Sequence, residues 1–570
     1  MSDSSANIVS RVVRILLFGG IVGFIASMAS IALVESIKLL FEWLIPSTTD
    51  RISSAPSLKW EYLVYPVVGG LIVGLLLHLK SQKPYHTLAD LIGAVQADKT
   101  GLPLKDNLRM SLAAVISMGS GASVGPYGPV ATMGGYLGAS ICRLTRTQRN
   151  LGIGCGVAAA IATAFNAPLA GIVFAHEVIL RHYSLRAFAP ITVAASTGFF
   201  VSYFWLERPA LLEMSATRSI FAPEFLGFVV VGICGALVAI VFMRLVQCCF
   251  RWAHRTAIAA WLRPAVAGLA IGVIAQWIPE TLGVGSVTTK LVLVSDLYGQ
   301  WQIMALMLAK IVATAICLGF GFAGGIFSPS LLIGLLMGAL LGNLADVVLL
   351  EQSSGVVFYA ICGMMAVTSP IIGAPLTAIL IVFELTHNYD LTTAVMISVV
   401  FSNVVAYRLY GRSYFDQQLK SRGIDLSLGQ DPVVLQQVNM SEFLRTDFVA
   451  LEPDQSVEKV IASMAQGKTT EGYVLDTTGR LTGKVVLSDL VEHYGDNLQD
   501  PVQLWQEEFL RFEIDTSVWE AMEDLRREPA ESVPIVDQQG YITGIVRPVD
   551  VINAYLERIH GVRSEAHASD

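Results

Sequence analysis

Two stretches of this sequence would leave backbone amides without partners. Gly119-Ser120-Gly121-Ala122-Ser123-Val124-Gly125-Pro126-Tyr127-Gly128-Pro129 and Gly321-Phe322-Ala323-Gly324-Gly325-Ile326-Phe327-Ser328-Pro329 interrupt apolar runs with glycine and proline. A helix that restarts after such a break presents unpaired N–H groups and about half a positive charge. That favours an anion, and glycine at Gly125, Gly128, Gly324 and Gly325 lets backbone amides approach it. Neither stretch holds a Lys or Arg that would bind the ion too tightly for release.

Other chemistries fit less well. The first stretch lacks the Lys-Ser/Thr pair of a phosphate-cradling Walker loop. His176-Glu177 opens a zinc-protease pattern, but Leu180 occupies the place of its second histidine. No Gly-x-Ser-x-Gly elbow stands out in the C-terminal region. The seven cysteines lie in apolar segments at no metal-ligand spacing, as packing residues of a reducing compartment do. Neither an enzyme nor a metal site is expected.

The elements that carry these stretches belong in a membrane. Of the 570 residues 54% are hydrophobic and 15% charged, and the mean hydropathy is +0.59. An ordinary soluble domain is about 25% charged. Runs long enough to cross a hydrocarbon core occupy 11–44, 61–79, 187–206, 224–250, 263–279, 302–320 and 391–410, whereas 107–180 and 321–386 are broken. The first run lacks the small-residue cleavage site of a signal peptide and reads as a retained membrane helix. Irregular backbone at membrane depth survives only where protein or a polar cavity satisfies it. The breaks also repeat. Gly125 to Pro129 corresponds to Gly325 to Pro329, and Ala167-Pro168-Leu169 with Glu177 corresponds to Ala374-Pro375-Leu376 with Glu384. Paired broken segments in two halves point to a central transport site. Packing by small residues would explain single glycines but not a matched pair of loops.

From Asp431 onward charged residues recur every few positions, and a second repeat appears. Ser456-Val457, Asp476, Gly479, Thr482-Gly483 and Asp489 return as Ser517-Val518, Asp537, Gly540, Thr543-Gly544 and Asp550. Each unit reads as helix, strand, turn, strand and helix. Residues 1–430 are therefore expected to form the membrane domain and 431–570 a soluble α/β pair, about 436–497 and 498–560. Arg11 and Arg14 at the start of the first run, and Arg408, Arg412, Lys420 and Arg422 around the last, place both termini on the cytosolic side of a plasma or inner membrane. The net charge of −8 argues against a nucleic-acid partner.

These residues resemble the CLC family of chloride channels and anion/proton antiporters, followed by a pair of cystathionine-β-synthase-type (CBS) repeats. The resemblance rests on Gly119-Ser120-Gly121 with Ser123 to Pro129, Ala164 to Gly171, Gly325 to Pro329 and Val382-Phe383-Glu384-Leu385-Thr386 with Asn388-Tyr389. It implies an all-α polytopic membrane domain of two inverted repeats and a cytosolic α/β tail. It also implies a homodimer in the lipid bilayer, each subunit holding its own path for chloride or another monovalent anion. Backbone amides near Tyr127–Gly128 and Ile326–Phe327 would hold the ion.

Departures from the family pattern carry the functional expectation. Tyr127 stands where the family has its gating glutamate, and Val178 where antiporters have a second, proton-feeding glutamate. A phenol with a pKa of about 10 is neutral at pH 7, and valine does not titrate. An uncoupled channel is expected, with Tyr127 as gate, and an interfacial aromatic outside the path as the other reading of that residue. His86 takes the place of the central-site serine, as an anion donor or as an internally bonded histidine. Phe415 takes that of the central tyrosine, with Tyr414 the alternative. Two other functions remain open: an antiporter using Glu177 or Glu384, and a non-conducting nucleotide sensor. In the tail the resemblance implies ribose contacts from Asp489 and Asp550, but Val486 and Arg547 replace the expected Thr/Ser. No cofactor is required; ATP, ADP or AMP between the repeats, with Arg547 facing a phosphate, and a purely structural tail are both consistent with this pattern.

Overall fold

A computed structural model of the chain describes residues 2–45, 59–78, 87–96, 103–145, 148–183, 185–205, 224–294, 298–349, 353–422, 424–426, 439–492, 499–502, 509–527 and 531–553. The chain divides into two compact units, with the division after Arg422. The first is helical. Its first half contains α1 (Ser2–Leu44), α2 (Trp60–His78), α3 (Leu88–Gln96), α4 (Leu104–Gly119), α5 (Tyr127–Thr145), α6 (Arg149–Phe165), α7 (Pro168–Phe174) and α8 (Leu185–Phe200). The second contains α9 (Glu224–Arg255), α10 (Arg263–Trp277), α11 (Ser286–Val294), α12 (Gln300–Gly319), α13 (Phe327–Val348), α14 (Val356–Ile372), α15 (Pro375–Thr386) and α16 (Tyr389–Leu409). The short α17 (Tyr414–Lys420) follows. Among the described residues, seven helical segments are long and apolar enough to cross a membrane.

The two halves are inverted copies, and the breaks recur at matched places. Gly121 and Gly321 both adopt positive φ, 104° and 96°, at the ends of α4 and α12. Asn166 (φ 54°) and Gly373 (φ 75°) take the left-handed conformation after α6 and α14, and Pro168 and Pro375 then start the next helices. A left-handed residue followed by proline at the first helical position is how a chain stops one helix and restarts another. Packing repeats too: a Cβ on Gly134 would lie 2.3 Å from the Gly156 carbonyl oxygen, and one on Gly334 2.4 Å from that of Gly363. Only glycine permits α5–α6 and α13–α14 to pack this closely.

Two segments differ from the sequence reading. The run at 263–279 yields only the 15-residue α10, because Pro279 opens a 3₁₀ turn after Trp277. Residues 327–348, expected to be interrupted, form the unbroken 22-residue α13. Pro329 falls in its first turn, where a missing N–H costs nothing.

The halves are tied by reciprocal hydrogen bonds. The Ser123 amide donates to Cys317 Sγ, and the Ala323 amide to Ser117 Oγ, both at 3.1 Å. The fully buried Lys310 donates to the carbonyls of Thr281 (3.0 Å) and Gly283 (2.9 Å), while the Gly283 amide donates to Gly121 O. Glu177, on the π-helical turn Ala175–Leu180, accepts from the Leu376 and Thr377 amides at the start of α15, at 3.0 and 2.9 Å. Glu384 accepts from the Leu169 and Ala170 amides of α7, both at 2.8 Å. Each half thus caps a helix of the other, satisfying amides that have no intrahelical partner.

The tail contains β1 (Val449–Leu451), α18 (Val457–Gly467), β2 (Glu471–Leu475), β3 (Leu481–Val486) and α19 (Leu487–Glu492), then β4 (Phe512–Glu513), α20 (Val518–Arg527), β5 (Val533–Val536) and β6 (Ile542–Val546). The sheets run β1-β2-β3 and β4-β5-β6, each with one parallel and one antiparallel pairing. The leading strands β1 and β4 escaped the sequence reading, since two or three residues carry no alternation. The repeats meet where Glu471 forms an ion pair with Lys484 (2.6 Å) and accepts from the Ser532 amide (2.8 Å).

The reciprocal caps predict matched effects. Glu177→Ala and Glu384→Ala should each destabilise the membrane domain by about 1–2 kcal/mol, read as a lower apparent melting midpoint of the purified protein. Glu→Gln at either position should retain more of that stability, because an amide oxygen still accepts.

Candidate functional site

The two broken loops meet face to face. The Gly125 amide donates to Gly325 O at 2.8 Å and the Gly325 amide to Gly125 O at 2.7 Å, an antiparallel bridge between the halves. A Cβ on Gly125 would lie 2.7 Å from Ser328 Cβ, so a side chain there would separate the strands. The bridge consumes these two amides but not those that follow. Among the described residues, the amides of Tyr127, Gly128, Ile326 and Phe327 donate to no carbonyl. They are the unpartnered first turns of α5 and α13.

A cavity of about 330 Å³ opens beside them. Leu88 at the start of α3, Gly128 in α5, Phe327 in α13 and Tyr414 in α17 all line it, so four helix N-termini share one space. The unpartnered first-turn amides of α5 and α13 present partial positive charge beside it. No carboxylate lines the cavity among the described residues, and its ionisable cationic side chains are Arg422 and His254.

Aromatic rings crowd the two amide-presenting turns. The Tyr127 ring lies 4.2 Å from that of Phe165 and 5.3 Å from that of Phe327, and Phe165 and Phe327 are 5.3 Å apart. The Tyr127 hydroxyl has no hydrogen-bond partner among the described residues. Phe165 was not singled out by the sequence, since nothing local marks the last residue of α6 as a neighbour of Tyr127.

Phe415 and Tyr414 both line the cavity, so the sequence alternatives are neighbours in one wall. Val178 is buried in the π-helical turn and does not line it. His86 lies outside the described residues. The next residue, Thr87, lines the cavity and forms a capping arrangement that sequence reasoning missed. Its amide and hydroxyl donate to Asp90 Oδ2 at 2.7 and 3.0 Å, while Asp90 Oδ1 pairs with Arg422. The signal was present as Thr87-Leu88-Ala89-Asp90, a helix-start pattern.

In the tail, Asp550 is held by Arg445 through two bonds, Nε to Oδ2 at 2.7 Å and Nη2 to Oδ1 at 3.0 Å. Arg547 lies 3.7 Å from Asp447, and Asp489 accepts from the Ser488 hydroxyl at 3.1 Å. Hydrogen bonds from the Thr478 hydroxyl and nearby amides hold the Asp476 carboxyl below its ordinary pKa, which fixes the turn between β2 and β3.

Comparison with known proteins agrees with this geometry. The family model described as voltage gated chloride channel matches residues 69–407, and the CBS domain model matches 440–496 and 506–557. A putative chloride channel protein, ClcB-like, of Ralstonia nicotianae is 29% identical over 415 residues, spanning 71% of this chain and 96% of that protein. A voltage-gated ClC-type chloride channel, ClcB, of Escherichia coli is 28% identical over 414 residues, spanning 71% and 98%. Among solved structures, a slow cyanobacterial Cl⁻/H⁺ antiporter superposes with a TM-score of 0.65 at 22% identity, covering 72% of this chain and 98% of that one. A eukaryotic CLC transporter gives 0.63 at 18%, covering 95% and 98%, and a CLC-type fluoride/proton antiporter 0.60 at 17%, covering 71% and 98%. The broken, inverted halves and the family match over more than half of the sequence make this chain a member of the voltage gated chloride channel (CLC) family, with two CBS domains at its C-terminal end.

Proposed function

We propose that this protein is a homodimeric channel that passes chloride or a similar monovalent anion through the cavity of each subunit, uncoupled from protons, in a plasma or inner membrane with both termini cytosolic. The observation that carries this reading is a cavity shared by four helix N-termini and lined by no carboxylate among its described residues. Amides of Tyr127, Gly128, Ile326 and Phe327 would hold the ion, and the Tyr127 ring, packed on Phe165 and Phe327, would occlude it.

A second reading, proton-coupled exchange, is favoured by the fold's likeness to two antiporters. It needs a carboxylate that can take up protons. Glu177 and Glu384 are the candidates, but each has both oxygens committed to helix-start amides, so protonation would loosen a cap. Purified protein in liposomes with a chloride gradient separates the readings. Valinomycin-driven chloride efflux with unchanged internal pH supports the channel; stoichiometric proton uptake overturns it.

Tyr127→Ala should raise that efflux about tenfold, equivalent to about 1.4 kcal/mol of barrier. Tyr127→Glu should reduce efflux at neutral pH, with recovery as the new carboxyl protonates near its ordinary pKa of about 4.3.

Arg422 supplies positive charge to the cavity wall, and Asp90 would be an uncompensated anion beside it if that guanidinium were lost. Arg422→Ala should therefore lower efflux at low chloride about two- to fivefold, with the deficit shrinking as salt screens the charge. Asp90→Asn breaks the same pair and should not produce that deficit.

For the tail we favour a structural role over nucleotide sensing, because Asp550 is already bound by Arg445. Calorimetric titration of the full protein with AMP, ADP and ATP should show no saturable binding. Binding that is lost in Arg547→Ala would establish the sensor instead.

A further inference from the structure

Lys310, in the middle of the membrane-spanning α12, is fully buried. Among the described residues no carboxylate pairs with it; its Nζ donates to two backbone carbonyls, Thr281 O at 3.0 Å and Gly283 O at 2.9 Å. An ammonium held out of water without a counter-charge costs more than an apolar side chain in the same place, so its presence points to a task.

The two carbonyls show what that task is. Residues 281–285 form the loop that joins the 3₁₀ turn Pro279–Thr281 to α11, passing through positive φ at Gly283 (67°) and Gly285 (84°). This loop touches both glycine stretches. The Gly283 amide donates to Gly121 O at 3.1 Å, at the end of α4 and just ahead of the Gly125 bridge. Val284 O accepts from the Ser328 hydroxyl at 3.3 Å, in the first turn of α13 and next to Phe327. A Cβ on Gly285 would lie 2.6 Å from Leu332 Cδ2 and 3.8 Å from Lys310 Nζ, so the loop is pressed between α12 and α13. The Lys310 face of α12 also holds the first glycine stretch directly. Thr314 Oγ1 shares a hydrogen bond with Ser123 Oγ at 3.0 Å, and Cys317 Sγ accepts from the Ser123 amide at 3.1 Å. Positions 310, 314 and 317 share one side of a helix.

We propose that Lys310 is a positioning residue for the anion path: by clamping residues 281–285 it sets the separation of the amide-presenting turns at Tyr127–Gly128 and Ile326–Phe327, and through that separation which monovalent anion they fit. A charged donor on two carbonyls holds the loop more firmly than neutral bonds would. The loop then acts as a spacer, with Gly121 on one side and Ser328 on the other. Selection among anions follows from where the donors stand. The clamp holds whatever passes; the selectivity rests on the proposed anion function.

Hydrogen–deuterium exchange of the purified full chain tests the clamp without transport. Lys310→Met, which keeps a long unbranched chain and removes the donors, should raise exchange by about tenfold or more in 119–128, 281–285 and 321–328 and leave α6 and α16 unchanged. Ser328→Ala removes the loop's tie to α13 at the cost of a single hydroxyl, and decides the same point if Lys310→Met does not fold. Exchange that rises as much in α6 and α16 as in the loops, or in none of them, overturns the clamp. Selectivity is read from the efflux of chloride and of nitrate from liposomes. Their ratio should shift by about threefold or more in Lys310→Met and by less in Ser328→Ala, and the double variant should fall short of the product of the two, because both act through one loop. A merely structural role lowers both fluxes alike, so a ratio unmoved in both single variants overturns the selectivity. A double variant that shows the full product overturns action through a shared loop. If the unaltered protein passes neither anion, the channel reading fails while exchange still decides the clamp.

Discussion

Gly125 and Gly325 exchange both backbone hydrogen bonds between the two halves, and the geometry of the proposed anion path depends on that exchange. Irregular backbone inside a membrane must find partners within the protein. By satisfying one pair of amides mutually, the bridge brings the starts of α5 and α13 together while leaving their following amides unpartnered. A side chain at Gly125 would meet Ser328 and Pro329 within 3 Å, so the bridge requires glycine there.

Around this bridge the halves are joined by pairs of like interactions. Ser117 and Cys317 each accept an amide from the opposite loop, and Glu177 and Glu384 each cap the opposite half's restarted helix. The carboxylates of Glu177 and Glu384 thereby serve as helix caps, and an aromatic ring, Tyr127, stands at the start of α5. Charge near the path comes instead from helix dipoles and Arg422, itself balanced by Asp90. On the proposed function, the absence of Lys and Arg from the two glycine loops suits rapid release of the anion.

Much of this arrangement was legible in the sequence. The matched Gly/Pro breaks, the Ala-Pro-Leu restarts with their downstream glutamates and the duplicated tail each reflect local backbone requirements, left-handed residues, proline at helix starts and tight turns, that only particular residue types meet. Tyr127 and Phe327 were placed at the amide-presenting turns for the same reason. What the sequence left open was every contact made across long separations. It could not choose between Tyr414 and Phe415, which turn out to share one cavity wall, nor bring Phe165 to the Tyr127 ring, pair Arg422 with Asp90 or fill Asp550 with Arg445. It also misjudged 327–348, where the breaking residues proved to belong to the loop and first turn. Local propensity is written residue by residue; which capped end or charged group meets another is fixed only when the two inverted halves pack together and each buried polar group must find its partner.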